Sequence, residues 1–470
     1  MPRSLTLLVI AATLAVARGQ VAAVPPGLAP FVTVDARLVA LTHARVVDGT
    51  GAPARDGQTI IIRDGRIEAA GASASTPVPE GARVIDLTNH TVLPGIVGLH
   101  EHTYFGGVRQ MTQMRASGPP LYLAFGVTTA MTAGSQFPYQ ELNLKRAVDA
   151  GVLPGPRFLI TGPYLNGGAP RTVTSRLVTT PEEVRRVIAY WASEGATWFK
   201  FQGGVTREVL KAGIDEAHAR GLRVTGHLCS VTFTEAAAMG IDALQHGFIT
   251  NSDYVAGKKP DTCPAENMRA QADVDVESAA VRDSIRAIAS SGTAVVSTLG
   301  VYETFMPGRF TPDPRALDML APDVRREVEA AHAELAKSAL TVPDRLLAKM
   351  MAWERAFVAS GGLLGAGSDP WGTGFLPGYG NLRNIELLVE AGFTFEQAVQ
   401  ISTLNSARIL GEHERIGSIA AGKRADLFVI RGNPVAAPKG LYDVVTVFKD
   451  GVGYDSARLR DAAKGKVGSS

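Results

Sequence analysis

The chain has 470 residues, 46% of them hydrophobic and 20% charged, and its 47 Lys plus Arg against 45 Asp plus Glu leave a formal net charge of +2. That composition excludes a disordered chain, and the balanced charge lacks the basic footprint of a nucleic-acid-binding protein. The length exceeds one ordinary domain and has room for a barrel of roughly 250 residues plus a second module.

In chain order, residues 1–23 read as a secretory signal peptide. Arg3 supplies the positive charge, Leu5 to Ala17 is an apolar or small run interrupted only by threonine, and Ala15-Val16-Ala17 is an A-x-A-like cleavage site. The run is shorter than the roughly 20 apolar residues of a membrane span, and no cysteine lies beside it to carry a lipid anchor. The expected location is periplasmic or secreted, with no membrane anchor. After the Pro-rich lead VPPGLAP, residues 30–93 hold short β-type runs punctuated by Asp48-Gly49, Asp56-Gly57 and Asp64-Gly65, which read as turns. They predict the first part of a small β-sandwich.

Residues 94–410 alternate strand-type and helix-type stretches. Strands are expected at 96–102, 126–131, 157–161, 197–202, 223–227, 243–246, 294–299 and 363–369. The alternation argues for a parallel sheet with helical crossovers, and eight strands fit a closed barrel. Residues 411–455 return to strand-type sequence and predict the second part of the sandwich, while 456–470 read as a frayed tail. The expected fold is therefore α/β, a (β/α)₈ TIM barrel inserted into a β-sandwich made from both chain ends. Two long connections, 248–268 and 299–320, would rise over the barrel's C-terminal face. Cys229 and Cys263 are the only cysteines. Two cysteines do not staple a secreted chain of this size; both fall near strand ends and could pair, but the sequence favours separate thiols.

His100 and His102 close the apolar run of the first barrel strand, where residues i and i+2 share a face. Lys200, His227, His246 and Asp369 stand at the ends of later strands. On a barrel all six converge on one rim. Trp198, Lys200 and Gln202 share one face of their strand, so Phe199 and Phe201 pack outward. A lysine pointing into a barrel without a partner costs several kcal/mol. Gly365 and Gly367 leave space beneath Asp369. His43, His90, His218, His332 and His413 read as structural or surface residues.

The run TVLPGIVGLHEHTYF, the lysine on strand four, the histidines on strands five and six and the aspartate on strand eight together resemble the binuclear-metal branch of the amidohydrolase superfamily, with its PG-x-x-D-x-H-x-H signature. RNIELLVEAGFTFEQAVQISTLNSARILG and IGSIAAGKRADLFVI resemble that family's barrel-closing helices and returning sandwich strands. The resemblance extends from about residue 36 to 450 and looks closest to the imidazolonepropionase-like and Xaa-Pro dipeptidase-like groups. It implies two divalent ions, Zn²⁺ first among them. His100, His102 and Asp369 would hold one, His227 and His246 the other, and Lys200, carbamylated, would bridge both. It implies hydrolysis of an amide-type carbon–nitrogen bond of a small molecule, such as a dipeptide or N-acyl amino acid, by a metal-bridging hydroxide. Asp369 would be the catalytic proton carrier. Alternatives on the same site are a lactone, cyclic imide or phosphoester hydrolase; from another class, a non-catalytic scaffold. Nothing in the sequence argues against a homo-oligomer. The chain departs from the pattern at Gly98, where the signature has Asp, and after strand three, where TGPYLNGGAPR offers Tyr164 and Asn166 in place of a histidine. Tyr164, Arg171 and Tyr302 are the candidate substrate-binding residues.

Overall fold

A computed structural model describes residues 24–106, 111–168, 175–265, 267–306, 308–337, 344–372 and 374–469. The expected signal peptide at residues 1–23 and Arg171 lie outside them. Among the described residues, strands from both chain ends hydrogen-bond into one nine-stranded sheet. Leu427–Arg431 from the C-terminal part lies between His90–Pro94 and Val444–Lys449. Asp64-Gly65 is the predicted tight turn: both residues have positive φ, and Arg63 pairs with Arg66 across it. Asp56-Gly57 is not a turn; it lies inside strand Arg55–Arg63.

The eight expected parallel strands form as β1 Ile96–Glu101, β2 Val127–Thr132, β3 Arg157–Leu159, β4 Trp198–Phe201, β5 Arg223–Gly226, β6 Ala243–Gln245, β7 Ala294–Ser297 and β8 Leu364–Ala366. They fall into two ladders, β1 to β3 and β4 to β8, the second also carrying short strands Leu165–Asn166 and Arg176–Leu177. A single bridge, Thr161 to Trp198, spans the gap after β3. Beyond β8, Asp369 N donates to His100 O at 2.7 Å. The arrangement is TIM-barrel-like α/β.

Packing follows the strands' two faces. Val97, Leu99, Met131, Trp198, Ala243, Ala294 and Val296 join one interior cluster. Phe158, Phe199, Phe201, Val224, Leu244 and Val295 join the larger core shared with the helices. At the foot of β3, Arg157 bonds Asp426 at 3.1 Å and Asp450 at 2.9 and 3.0 Å, pinning the nine-stranded sheet to the parallel strands. No helix among the described residues is long and apolar enough to cross a membrane.

Two expectations are corrected. The frayed tail is instead a helix, Ser456–Ala463, capped by Asp455, which accepts from Ala457 N and Arg458 N. It buries Leu459 and Ala463 and packs on helix Gly118–Ala124. Val467 N then bonds Met319 O at 2.9 Å. An apolar face with a place to dock decides order where composition alone suggests fraying. Cys229 and Cys263 are paired, their Cα atoms 4.9 Å apart, because the long connection after β6 folds back onto the end of β5.

Candidate metal centre and cavity

β1 does not alternate to its end. Ala130 of β2 pairs with Gly98, but Thr132 pairs with Glu101, so three steps on β1 face two on β2. Val97 and Leu99 belong to the interior cluster; this bulge swings His100 and His102 into the site as well. Bulges beside active sites re-aim side chains in this way. His246 and Asp369 each sit one or more residues past a strand, with left-handed backbones, φ +69° and +49°. Such strain in non-glycine residues clusters at functional sites.

The side chains meet closely. Asp369 Oδ1 lies 2.9 Å from His102 Nε2 and 3.4 Å from His100 Nε2, and its Oδ2 is 3.8 Å from His246 Nδ1. The ligating atoms of His100, His102 and Asp369 all lie within 4.8 Å of one another. The His246 ring is 4.5 Å from that of His227 and 4.7 Å from that of His100. Lys200 is buried and lines the same cavity.

Three observations fit a metal. Burial first, then the charge on Lys200, hold His100 well below the ordinary imidazole range. Burial, then the charge on His227, does the same to His246. Both rings are thus neutral, with a lone pair to give. Second, His100 Nδ1 lies 2.7 Å from Gln245 Oε1, an acceptor, so that nitrogen carries the proton and Nε2 faces Asp369 unprotonated. Gln245 Nε2 in turn donates to Thr225 Oγ1 at 2.7 Å. Third, His102 Nε2 and His100 Nε2 face the same carboxylate oxygen, Asp369 Oδ1, at 2.9 and 3.4 Å, so the ligating edges of both rings point at one place. Lys200 differs: burial pushes its ammonium down to about 7, against the pull of Asp369.

The six predicted residues therefore converge. They line a cavity of about 630 Å³ that also takes in Tyr164 and Tyr302. Tyr302 packs edge-on to His246, with ring centres 5.5 Å apart, and the Tyr164 hydroxyl lies 2.8 Å from that of Tyr104. The remaining wall includes Asn166, Gln202, Phe305 and Trp371, together with Cys229 and Cys263. Arg171 is outside the described residues. Sequence reasoning missed Tyr104, which stacks on His102 at 4.7 Å, and Gln245 and Thr298, which orient the histidines; His246 Nδ1 is 2.8 Å from Thr298 Oγ1. A glutamine beside a histidine at the end of an apolar strand was the available signal for Gln245. It also missed Glu101, fully buried, whose carboxyl burial pushes up to about 7, against hydrogen bonds from Ser368 and Asn381.

The sequence model of the amidohydrolase family matches residues 91–453, and the chain belongs to that family. An imidazolonepropionase from Klebsiella pneumoniae (strain 342) is 43% identical over 60 residues, 13% of this chain and 14% of the relative, so the chain matches about one seventh of that protein's length. Among solved structures, a provisionally assigned prolidase from Bifidobacterium longum is 26% identical with a TM-score of 0.66, covering 91% of this chain and 99% of its own. A Xaa-Pro dipeptidase with bound methionine in its active site is 20% identical with a TM-score of 0.65 (89% and 100% covered), and bottromycin amidohydrolase 22% identical with 0.71 (94% and 95% covered). These two share the fold.

Proposed function

We propose that this amidohydrolase-family hydrolase of carbon–nitrogen bonds cleaves the amide of a dipeptide or N-acyl amino acid, using two divalent ions, zinc by preference, in the cavity that Tyr302 helps to line. The observation that carries the reading is the meeting of two neutral, oriented imidazoles, a third whose Nε2 faces Asp369, a half-buried fourth, a lysine and a carboxylate on one rim. His100, His102 and Asp369 would hold one ion and His227 and His246 the other. Lys200 would bridge them as a carbamate: with its ammonium pushed down to about 7, about half of it is free amine at pH 7, and that amine adds to carbon dioxide, forming an N–C bond and losing a proton. An anionic oxygen pair then replaces a cation beside two cations.

When bound, the ions polarise a carbonyl and lower the pKa of water. The chain's own residues do the rest. Gln245 and Thr298 fix the tautomers of His100 and His246. Asp369 receives the proton of the attacking water on a carboxylate oxygen and returns it to the leaving nitrogen. Val301, Phe305 and Trp371 give the cavity an apolar wall for a side chain, and the hydroxyls of Tyr104 and Tyr164 offer donors to a carbonyl or carboxylate. The prolidase and dipeptidase names of its structural neighbours support a peptide-like substrate. In the same reading the parallel strands are a closed (β/α)₈ barrel, the nine-stranded sheet a β-sandwich, and residues 1–23 direct export. The Cys229–Cys263 pair supports an oxidising compartment.

The test is a substrate panel on metal-reconstituted enzyme: prolyl dipeptides, N-acyl amino acids, hydantoin-like rings, lactones and phosphoesters. Metal-dependent amine release is the expected result. Turnover of a lactone or phosphoester alone would overturn it, and less than one equivalent of bound metal would favour a scaffold.

A further inference from the structure

Gly98 and Glu101 occupy one space. A Cβ built on Gly98 would lie 2.2 Å from Glu101 Oε1 and 2.7 Å from its Cδ. The Glu101 carboxylate therefore fills the volume that any side chain at position 98 would take. From there its Oε1 accepts from Ser368 N at 3.2 Å and from Asn381 Nδ2 at 2.7 Å, and its Oε2 accepts from Ser368 Oγ. Asn381 is itself held, its Oδ1 accepting from Gly378 N at 3.2 Å. Ser368 is the residue before Asp369, whose left-handed backbone needs surrounding contacts to hold it. Glu101 is also bonded in the chain to both His100 and His102, and its backbone O accepts from Ala133 N at 3.1 Å.

We infer that Glu101 is the positioning residue of this centre: lodged in the space Gly98 leaves open, its carboxylate clamps Ser368 and so sets Asp369 against His100 and His102. The inference rests on the metal-binding reading above. It also explains the departure at Gly98. The acidic group is not lost from this corner but enters it from three residues further along, and only a glycine at 98 leaves room for it.

The experiment measures zinc affinity of metal-stripped protein by chelator competition, together with the visible spectrum of the cobalt-loaded form, for wild type, Glu101→Ala, Glu101→Gln, Gly98→Ala and Gly98→Ala/Glu101→Ala. Partners that orient metal ligands are worth about 10–100-fold in affinity. Glu101→Ala is expected to lose that much and to shift the cobalt bands. Gly98→Ala should lose a comparable factor by displacing the carboxylate. The double variant should bind no more weakly than Glu101→Ala, because the displaced group is already gone. Glu101→Gln keeps the shape and one acceptor oxygen; it should fold, bind with intermediate affinity, and serve if the alanine variant does not fold. Single variants within twofold of wild type and with unchanged cobalt spectra, or losses that simply multiply in the double variant, would overturn the clamp. Wild-type protein that binds no zinc would overturn the metal reading instead.

Discussion

The nine-stranded sheet and the rim of the parallel strands obey different rules. In the sheet, the non-glycine residues with left-handed backbones, His43, Asp64, Asn89 and Asp450, are exposed or half-buried, two of them beside a turn glycine at Asp64-Gly65 and Asp450-Gly451, and Arg157, which pins the sheet to the parallel strands, is paired with Asp426 and Asp450. At the rim, the left-handed residues are a buried histidine and an aspartate that faces three histidines, and a lysine and a glutamate are buried with their charged forms disfavoured. The contrast teaches where this chain spends stability. Left-handed backbones occur in both regions; at the rim their side chains turn towards the other candidate ligands, and in the sheet they face solvent or an ion pair near the surface.

Four experiments press on that contrast. Asp369→Asn keeps the shape of the rim but not its proton acceptor. It is expected to lower kcat by about 10³–10⁴-fold while retaining much of the bound metal; near-wild-type turnover would remove Asp369 from proton transfer. The joint replacement Cys229→Ser/Cys263→Ser frees a wall of the cavity from a closure 34 residues apart in sequence. Denaturant unfolding should show a loss of about 2–4 kcal/mol, with KM rising more than kcat falls. An unchanged KM would mean the wall holds itself. Gly65→Val strains the sheet alone, since φ is +78° and its Cβ would meet Asp450 O at 2.6 Å. It should cost about 1–3 kcal/mol and leave kcat/KM unchanged; a drop in activity would break the separation between the regions.

The smallest effect concerns Glu354, fully buried between helix and strand, whose carboxyl burial pushes from 4.5 up to about 8. A raised carboxyl pKa means the folded chain holds this proton more tightly than the unfolded chain. Its contribution is therefore complete below pH 4.5 and is lost as pH rises towards about 8. Glu354→Gln cannot ionise, so its melting temperature should exceed wild type by a few degrees, roughly 2–4 °C, at pH 9, and match it at pH 5. A difference independent of pH would assign the effect to packing.

Much of the centre was legible from sequence. His100, His102, Lys200, His227, His246 and Asp369 could be placed because each ends an apolar run, and strand ends of a parallel α/β sheet share one rim. What held them was not legible. Gln245 and Thr298 reach His100 and His246 across distances in sequence that no local pattern encodes. The bulge at β1 leaves alternation intact in the sequence while breaking it in space. Glu101, flanked by two histidines, reads as the outward residue of a strand, and only the empty volume over Gly98 shows where its carboxylate goes. The C-terminal helix was misread because its polar composition hides two well-placed apolar residues, Leu459 and Ala463.

That helix has a practical consequence. After it, the chain runs back to the parallel strands, and a Cβ on Gly468 would lie 3.2 Å from the ring of Phe105, three residues beyond His102. A side chain introduced at Gly468 would therefore press on the segment that leaves the candidate metal centre, so a change 366 residues away in sequence from His102 would be felt beside it.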